Sequence, residues 1–320
     1  MKNKLNNIKS RTYLVTGGAG FIGSNICREL LRRDQQVRVF DNFSTGRMSN
    51  LEDIAGKIEI IRGDLRDLSS VTDAVEGADF ILHQGALPSV PRSVRDPIAS
   101  NETNVAGTLN ILVAARYKGV RRVVYASSSS VYGDTEILPK VETMKPDPLS
   151  PYALTKLTGE HYCRIFYKIY GVETVCLRYF NVFGPYQDPS SQYAAVVPRF
   201  ITAYMKGEAP TIYGDGEQSR DFTYIENVVN ANLLATEAQD APGKVFNIAC
   251  GNRYTVNHLA GIIGKIIKSD IKPVHISSRT GDVKHSLADI TAAREILKYD
   301  PAISLEEGLR KTIARYYDKR

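Results

Sequence analysis

Short apolar runs punctuate the first half of the chain at 12–16, 37–41, 58–62, 79–83, 121–126 and 174–178. Each has strand length. Between them, apolar residues recur at helical spacing near 22–33, 68–76, 101–118 and 151–170. Strands alternating with helices predict an α/β protein with a doubly wound parallel sheet, covered by helices on both faces. Beyond residue 181 the pattern breaks. Gly184-Pro185, Pro189, Pro198, Pro210, Gly214 and Gly216 punctuate the chain. Such a segment predicts loops and short elements laid over the carboxyl edge of the sheet. A further helix and strand are expected within 225–249, returning to the sheet. The division is thus 1–180 for a first domain, with 225–249 rejoining it, and 181–320 for a smaller mixed α/β domain.

Composition adds bounds. The 320 residues are 43% apolar and 24% charged, which suits a soluble globular protein. No run of 18 apolar residues occurs, so no membrane-spanning helix is expected. Met1-Lys2-Asn3-Lys4-Leu5 lacks the apolar stretch of a signal peptide. Cys27, Cys163, Cys176 and Cys250 are scattered, as reduced core thiols would be in a cytoplasmic protein. The five histidines show no ligand spacing, so no metal is expected. The net charge of +6 is partly terminal. No aromatic-interleaved basic stripe accompanies it, so nucleic-acid binding is not expected.

Two motifs carry chemistry. Tyr13-Leu14-Val15-Thr16 stops at Gly17-Gly18-Ala19-Gly20-Phe21-Ile22-Gly23, and a helical pattern follows. Glycines between a strand and a helix are the context of a dinucleotide fingerprint. Gly17 permits the tight turn, Gly20 the approach of a pyrophosphate, and Gly23 close packing of helix on strand. Asp41 ends the second strand, 24 residues after Gly17. A carboxylate there accepts the ribose hydroxyls and repels a 2′-phosphate, which predicts NAD rather than NADP. Asp64 follows the third strand; it either meets adenine or serves as a helix N-terminal acid.

The second motif is Tyr152-Ala153-Leu154-Thr155-Lys156. The two ends share one helix face. A phenol ordinarily titrates near 10; a neighbouring ammonium favours the phenolate and makes Tyr152 a usable base. Upstream lies Ser127-Ser128-Ser129-Ser130-Val131-Tyr132-Gly133. A hydroxyl at that strand end can bridge a substrate oxygen and Tyr152, or the serines can form a polar turn.

These segments, with His83-Gln84-Gly85-Ala86, Asn104, Ser150-Pro151, Arg178-Tyr179-Phe180-Asn181 and Arg220-Asp221-Phe222-Thr223-Tyr224, resemble the extended short-chain dehydrogenase/reductases over nearly the whole chain. Within that family they resemble the nucleotide-sugar 4-epimerases. The resemblance implies a Rossmann sheet with a UDP-sugar-binding domain, and NAD contacts from Phe21, Ile22, Asn42, Ser44, Thr45, Gly46, Leu65, Gln84, Gly85, Ala86, Asn104 and Tyr179. It makes Ser128 the catalytic hydroxyl beside Tyr152 and Lys156, with Ser129 next to it. Asn181 and Arg220 would bind the diphosphate and Tyr213 would sit by uracil, with Ala195, Val196 and Thr211 alongside. Arg279 and Asp282 would hold phosphate and ribose. The family pairs such chains as homodimers, here through 101–118 and 151–170.

There are departures. Ile225-Glu226-Asn227 stands where the family often has Val-x-Asp. Ser129 and Ser130 stand where dehydratase relatives carry Asp-Glu. Dehydration across C5–C6 needs that acid pair, and decarboxylase relatives likewise carry a Glu there, so both activities are disfavoured. Ser286 matches the family's gate position, where a small residue leaves room for a 2-acetamido group; a helix-capping serine is the alternative. The expected activity is NAD-dependent interconversion of UDP-GlcNAc and UDP-GalNAc, with UDP-glucose and UDP-galactose as further substrates, through a transient 4-keto sugar. A strict UDP-glucose 4-epimerase and a UDP-uronic acid 4-epimerase keep the same motifs.

Overall fold

A computed structural model describes residues 10–188, 195–278 and 284–317. Seven strands form one parallel sheet: β1 Thr12–Thr16, β2 Gln36–Asp41, β3 Glu59–Arg62, β4 Phe80–His83, β5 Arg122–Ser128, β6 Glu173–Tyr179 and β7 Val245–Ile248. Their spatial order is β7-β6-β5-β4-β1-β2-β3. The chain leaves β1 toward β2 and β3, then returns to the other side of β1 as β4. The loops after β1 and β4 therefore diverge. Open α/β sheets bind ligands at such a switch point, outside the carboxyl ends of the strands.

Side-chain alternation feeds two cores. Tyr13, Val15, Phe80, Leu82, Val124 and Val175 point to one face, with Ile26 and Leu30 of helix α1, Phe21–Arg32. Leu14, Ile81, Val123 and Tyr125 point to the other. That face is closed by α2 Leu68–Val75, α3 Gly107–Lys118 and α4 Pro151–Tyr170, through Val71, Ile111, Leu112 and Phe166. The strands are buried on both sides, which is why they read as continuous apolar runs.

The helix expected over 101–118 is not uniform. Pro97–Asn101 leads into a wider π turn over Glu102–Ala106, and α3 begins only at Gly107. A Cβ on Gly107 would lie 2.8 Å from Leu65 Cβ, so the register shift seats a glycine against the loop after β3. After β6 come α5 Val196–Lys206, α6 Ile225–Glu237, α7 Val256–Ile267 and α8 Leu305–Tyr317. α6 leads to β7, which pairs with β6 from Val245↔Cys176 to Ile248↔Tyr179. The remaining strands are ladders of two or three residues: Val182–Phe183 with Thr223–Tyr224, Ser219–Arg220 with Tyr254–Thr255, and Thr211–Tyr213 with Val274–Ile276.

Candidate active site

Gly17 leaves β1 with φ of +65°. A Cβ there would lie 2.8 Å from the backbone of Gly85, so glycine alone lets the loops after β1 and β4 meet. A Cβ on Gly23 would come within 2.3 Å of Gly17 O. Gly20, the residue before α1, offers no side-chain cap, which leaves first-turn N–H groups for an anion. Around this loop lies a cavity of about 900 Å³, lined by Gly17, Gly20, Phe21, Ile22, Gly23, Asp41, Asn42, Ser44, Thr45, Gly46, Leu65, Gln84, Gly85 and Ala86. That volume is within the usual range for ligand pockets. Asp41 accepts the N–H of Ala19 (3.0 Å) on one oxygen and that of Phe43 (2.8 Å) on the other. Burial pushes its carboxyl up, and the two N–H groups oppose it. One lone pair on each oxygen is left for ribose hydroxyls.

Asp64, Asn104 and Tyr179 are not among these lining residues. Asp64 is held by Arg66 in a forked pair (2.9 Å) and by Asn42 Nδ2 (3.0 Å). The Arg66 guanidinium keeps its carboxyl well below the usual range. It is not the helix cap: Asp67 caps α2 through Ser69 N–H. Asn104 is buried. Its Oδ1 accepts Leu87 N–H (2.7 Å) and its Nδ2 donates to Thr155 Oγ1 (3.1 Å), stapling the loop after β4 to α4. Tyr179 is buried with its hydroxyl against Gln84 (3.2 Å) and Asn232 (3.0 Å). Asn232, on α6, carried no sequence signal; it joins the site because α6 packs beside α1 on the same face of the sheet.

The proton-handling groups meet where β5 ends. Ser128 Oγ accepts Ser130 N–H (3.2 Å) and Ser130 Oγ–H (2.9 Å). With both lone pairs used, its own proton is left to point toward the neighbouring Tyr152. Burial raises the Tyr152 phenol, and Ser128 draws it down. Ser128, not Ser129, is thus the serine that meets the tyrosine. Lys156 is buried, donates from Nζ to Ala126 O (2.7 Å), and lies 6.0 Å from the Tyr152 ring centre. Burial pulls its ammonium down to about 8. Tyr152 N–H also donates to Ser93 Oγ (3.0 Å), so the start of α4 is fixed to the loop after β4.

Two buried networks underlie this trio. Thr108 Oγ1–H donates to Asn104 O (2.6 Å), so it accepts from His83 Nε2–H (3.0 Å). Gly85 N–H donates to Thr16 Oγ1 (3.1 Å), whose proton then goes to His83 Nδ1 (2.6 Å). His83 is a neutral strut between β1, β4 and α3. Burial, helped by Lys156, pulls it down to about 3. Below Lys156, Glu160 takes a forked pair from Arg178 (2.8 and 2.7 Å) and the hydroxyl of Ser127. This ties α4 to β5 and β6.

A second cavity of about 280 Å³ is lined by Asn181, Ala195, Val196, Thr211, Tyr213 and Arg220, together with Arg199 and Gln218. Asn181 holds a left-handed φ of +33° and donates to Asp221 O (3.0 Å). Asp221 is fully buried, accepting N–H groups of Cys250 (2.9 Å) and Gly251 (3.0 Å); burial still pushes it up to about 6. Arg220 is steadied by Ser219 O (3.0 Å) and Lys284 O (3.2 Å). Ser286 does not line this cavity. It is buried, and its N–H donates to Ser219 O (3.0 Å), which runs it alongside the Arg220 strand. Arg279 and Asp282 lie outside the described residues. Among the described residues no cluster of metal ligands occurs, and no helix is long and apolar enough to cross a membrane.

Residues 13–249 match the NAD dependent epimerase/dehydratase family. The chain belongs to that family. NAD is its cofactor. Among solved structures, UDP-N-acetylglucosamine 4-epimerase from Methanobrevibacter ruminantium, complexed with UDP-N-acetylmuramic acid, is 41% identical; 98% of this chain and 100% of that one superpose with a TM-score of 0.93. UDP-glucose 4-epimerase from Thermotoga maritima with UDP-glucose is 37% identical over 96% and 99%, with a TM-score of 0.92. A protein of Methanocaldococcus jannaschii named a putative UDP-glucose 4-epimerase is 38% identical over 94% of this chain and 96% of its own length.

Proposed function

We propose that this family member is a UDP-sugar 4-epimerase, with UDP-N-acetylhexosamines among its substrates. The observation that carries the reading is the gathering of Ser128, Tyr152 and Lys156 at the end of β5, with Ser129 and Ser130 following rather than an acid pair. These groups move one proton and lack the second acid/base set for dehydration. The substrates in the names of the relatives above support a UDP sugar. The glycine cradle, where added Cβ atoms would collide, fits the backbone approach that NAD needs. When bound, NAD supplies hydride acceptance and return at the sugar's C4. Tyr152 takes the C4 hydroxyl proton and later returns it. Ser128 donates to the phenol oxygen and so favours the phenolate. Lys156 adds positive charge from below. Inversion requires the 4-keto sugar to offer the opposite face of C4 to the returning hydride while its oxygen stays within reach of Tyr152; we place its nucleotide end in the 280 Å³ cavity, with Asn181 and Arg220 on the diphosphate and Tyr213 by the base.

We assign Ser286 the gate role beside C2 and take its small size as support for an acetamido substituent. A UDP-glucose or UDP-uronic acid preference uses the same proton set. Exposed Leu154, Ile165 and Ile169 on α4, with Tyr117 on α3, support pairing of two copies through these helices. The test is incubation of purified protein with UDP-GlcNAc, UDP-glucose and UDP-glucuronic acid without added NAD. A UDP-GlcNAc/UDP-GalNAc mixture with no net NADH release is expected. A 4-keto-6-deoxy or decarboxylated product refutes the reading.

A further inference from the structure

The short helix Val90–Arg95 follows β4 and carries two residues that face different tasks. Ser89, which starts it, holds φ of +95°, a costly conformation for a residue with a Cβ. Ser89 Oγ accepts Arg92 N–H (3.4 Å). Ser93 Oγ donates to Val90 O (2.8 Å) and accepts Tyr152 N–H (3.0 Å). The helix is therefore pinned between the loop after β4 and the start of α4, which sets where Arg92 stands. Arg92 lines the 900 Å³ cavity on the wall built by Leu87 and Pro88, while the glycine loop forms the wall after β1. The other cations of that lining have partners: Arg47 pairs with Asp188 (2.6 Å), Arg315 donates to Tyr186 Oη (3.1 Å), and Arg95 is also engaged. The half-buried Arg92 guanidinium has no hydrogen bond or ion pair with a described residue. Its five donors in a planar fork match a phosphate or a carboxylate, and in a dinucleotide cavity the group of that kind is the pyrophosphate.

We propose that Arg92 is an NAD-binding residue that grips the dinucleotide's pyrophosphate from the β4 side and slows its release. The proposal rests on the 900 Å³ cavity being the NAD site. An epimerase regenerates its NAD at every turnover, so a cofactor retained across cycles needs no resupply. Helix α1 supplies partial positive charge from one wall; Arg92 supplies a full charge from the other.

The test uses purified holoenzyme with Arg92→Ala, Arg92→Lys and Ile22→Glu, the last placing a carboxylate at the glycine-loop wall. NAD per protomer is measured after extraction, and NAD release is followed by dilution into an NAD-hydrolysing trap. Loss of a charge-assisted phosphate contact should speed release from Arg92→Ala roughly 10- to 100-fold, with Arg92→Lys between it and wild type. KM for the UDP sugar at saturating NAD should stay within about twofold by the same reasoning, since the contact is to cofactor. Unaltered release refutes the proposal, as does an effect confined to the UDP-sugar KM. If Ile22→Glu loses NAD while Arg92→Ala keeps it, Arg92 alone is misassigned. If neither variant changes NAD release while circular dichroism shows both folded, the cavity is not the NAD site.

Discussion

Replacing Lys156 with methionine isolates the electrostatic part of the base. The ammonium lies 6.0 Å from the Tyr152 ring centre. At an effective dielectric of about 20, a unit charge at that distance favours the phenolate by about 2.8 kcal/mol, or roughly 2 pKa units. Lys156 is pulled only to about 8, so it is charged at neutral pH. Lys156→Met should raise the acid limb of the kcat–pH profile by roughly 2 units and lower kcat near pH 7 by roughly 100-fold, with activity recovering above the shifted limb. The fold should survive the change. A lysine depressed from 10.5 to about 8 destabilises the native state at pH below 8 by about 3 kcal/mol. Methionine removes that penalty, while the orphaned Ala126 carbonyl costs about 1–3 kcal/mol. The assay is kcat across pH at saturating UDP sugar and NAD, with phenolate absorbance titrated in parallel. A loss of equal size at every pH, with the limb unmoved, would show that Lys156 acts by position and not by charge.

The remaining predictions address single groups. Tyr152→Phe should lower kcat by about 10²–10⁴-fold with bound NAD retained; near-wild-type turnover would remove Tyr152 from proton transfer. His83 is held neutral down to about 3, below the unfolded value near 6.5, so the unfolded chain binds the proton first as pH falls. Stability is full above about 6.5 and should drop by roughly 2 kcal/mol by pH 5 on this account; denaturant titrations of wild type and His83→Gln at both pH values check that the drop belongs to His83. Ser286→Tyr overpacks a buried site, worth ~1–3 kcal/mol, and should cut kcat/KM for UDP-GalNAc roughly 10- to 100-fold more than for UDP-galactose; equal losses would take Ser286 out of the gate.

The strands and the cofactor cradle were legible because their signals are local. A strand buried on both faces must be a continuous apolar run, and a turn with positive φ at Gly17 must carry glycine. The strand ends fall within two residues of those read from apolar runs, and the π turn at Glu102–Ala106 was invisible because only the approach of Leu65 to Gly107 explains it. Asp64 had two readings from its position after β3, and neither anticipates capture by Arg66, two residues away. Ser130 was hidden among identical neighbours; only the hydrogen-bond count on Ser128 separates their roles. Asn232, Glu160 and Arg92 depend on pairings across 18 to 148 residues or on the lack of one, and no single-sequence periodicity records those.

The two halves of the site differ in how firmly they are held, and the chemistry proposed here needs that difference. The proton carrier must return to one position within a fraction of an ångström, since catalytic geometry tolerates little more. Tyr152 is fixed at its backbone by Ser93, flanked by the Asn104–Thr155 bond, and backed by the buried Glu160–Arg178–Ser127 set. Removing one partner of such a buried pair costs about 3–5 kcal/mol, so its members seldom part. The side proposed to hold the sugar is built from ladders of two or three residues, and the Val274–Ile276 strand is exposed throughout. Short ladders open at lower free energy than a seven-stranded core. In the proposed reaction, a keto sugar that must offer both faces of C4 to hydride while its oxygen stays by one fixed phenol suits enclosure by the half with short ladders, while the half that handles the proton is firmly held.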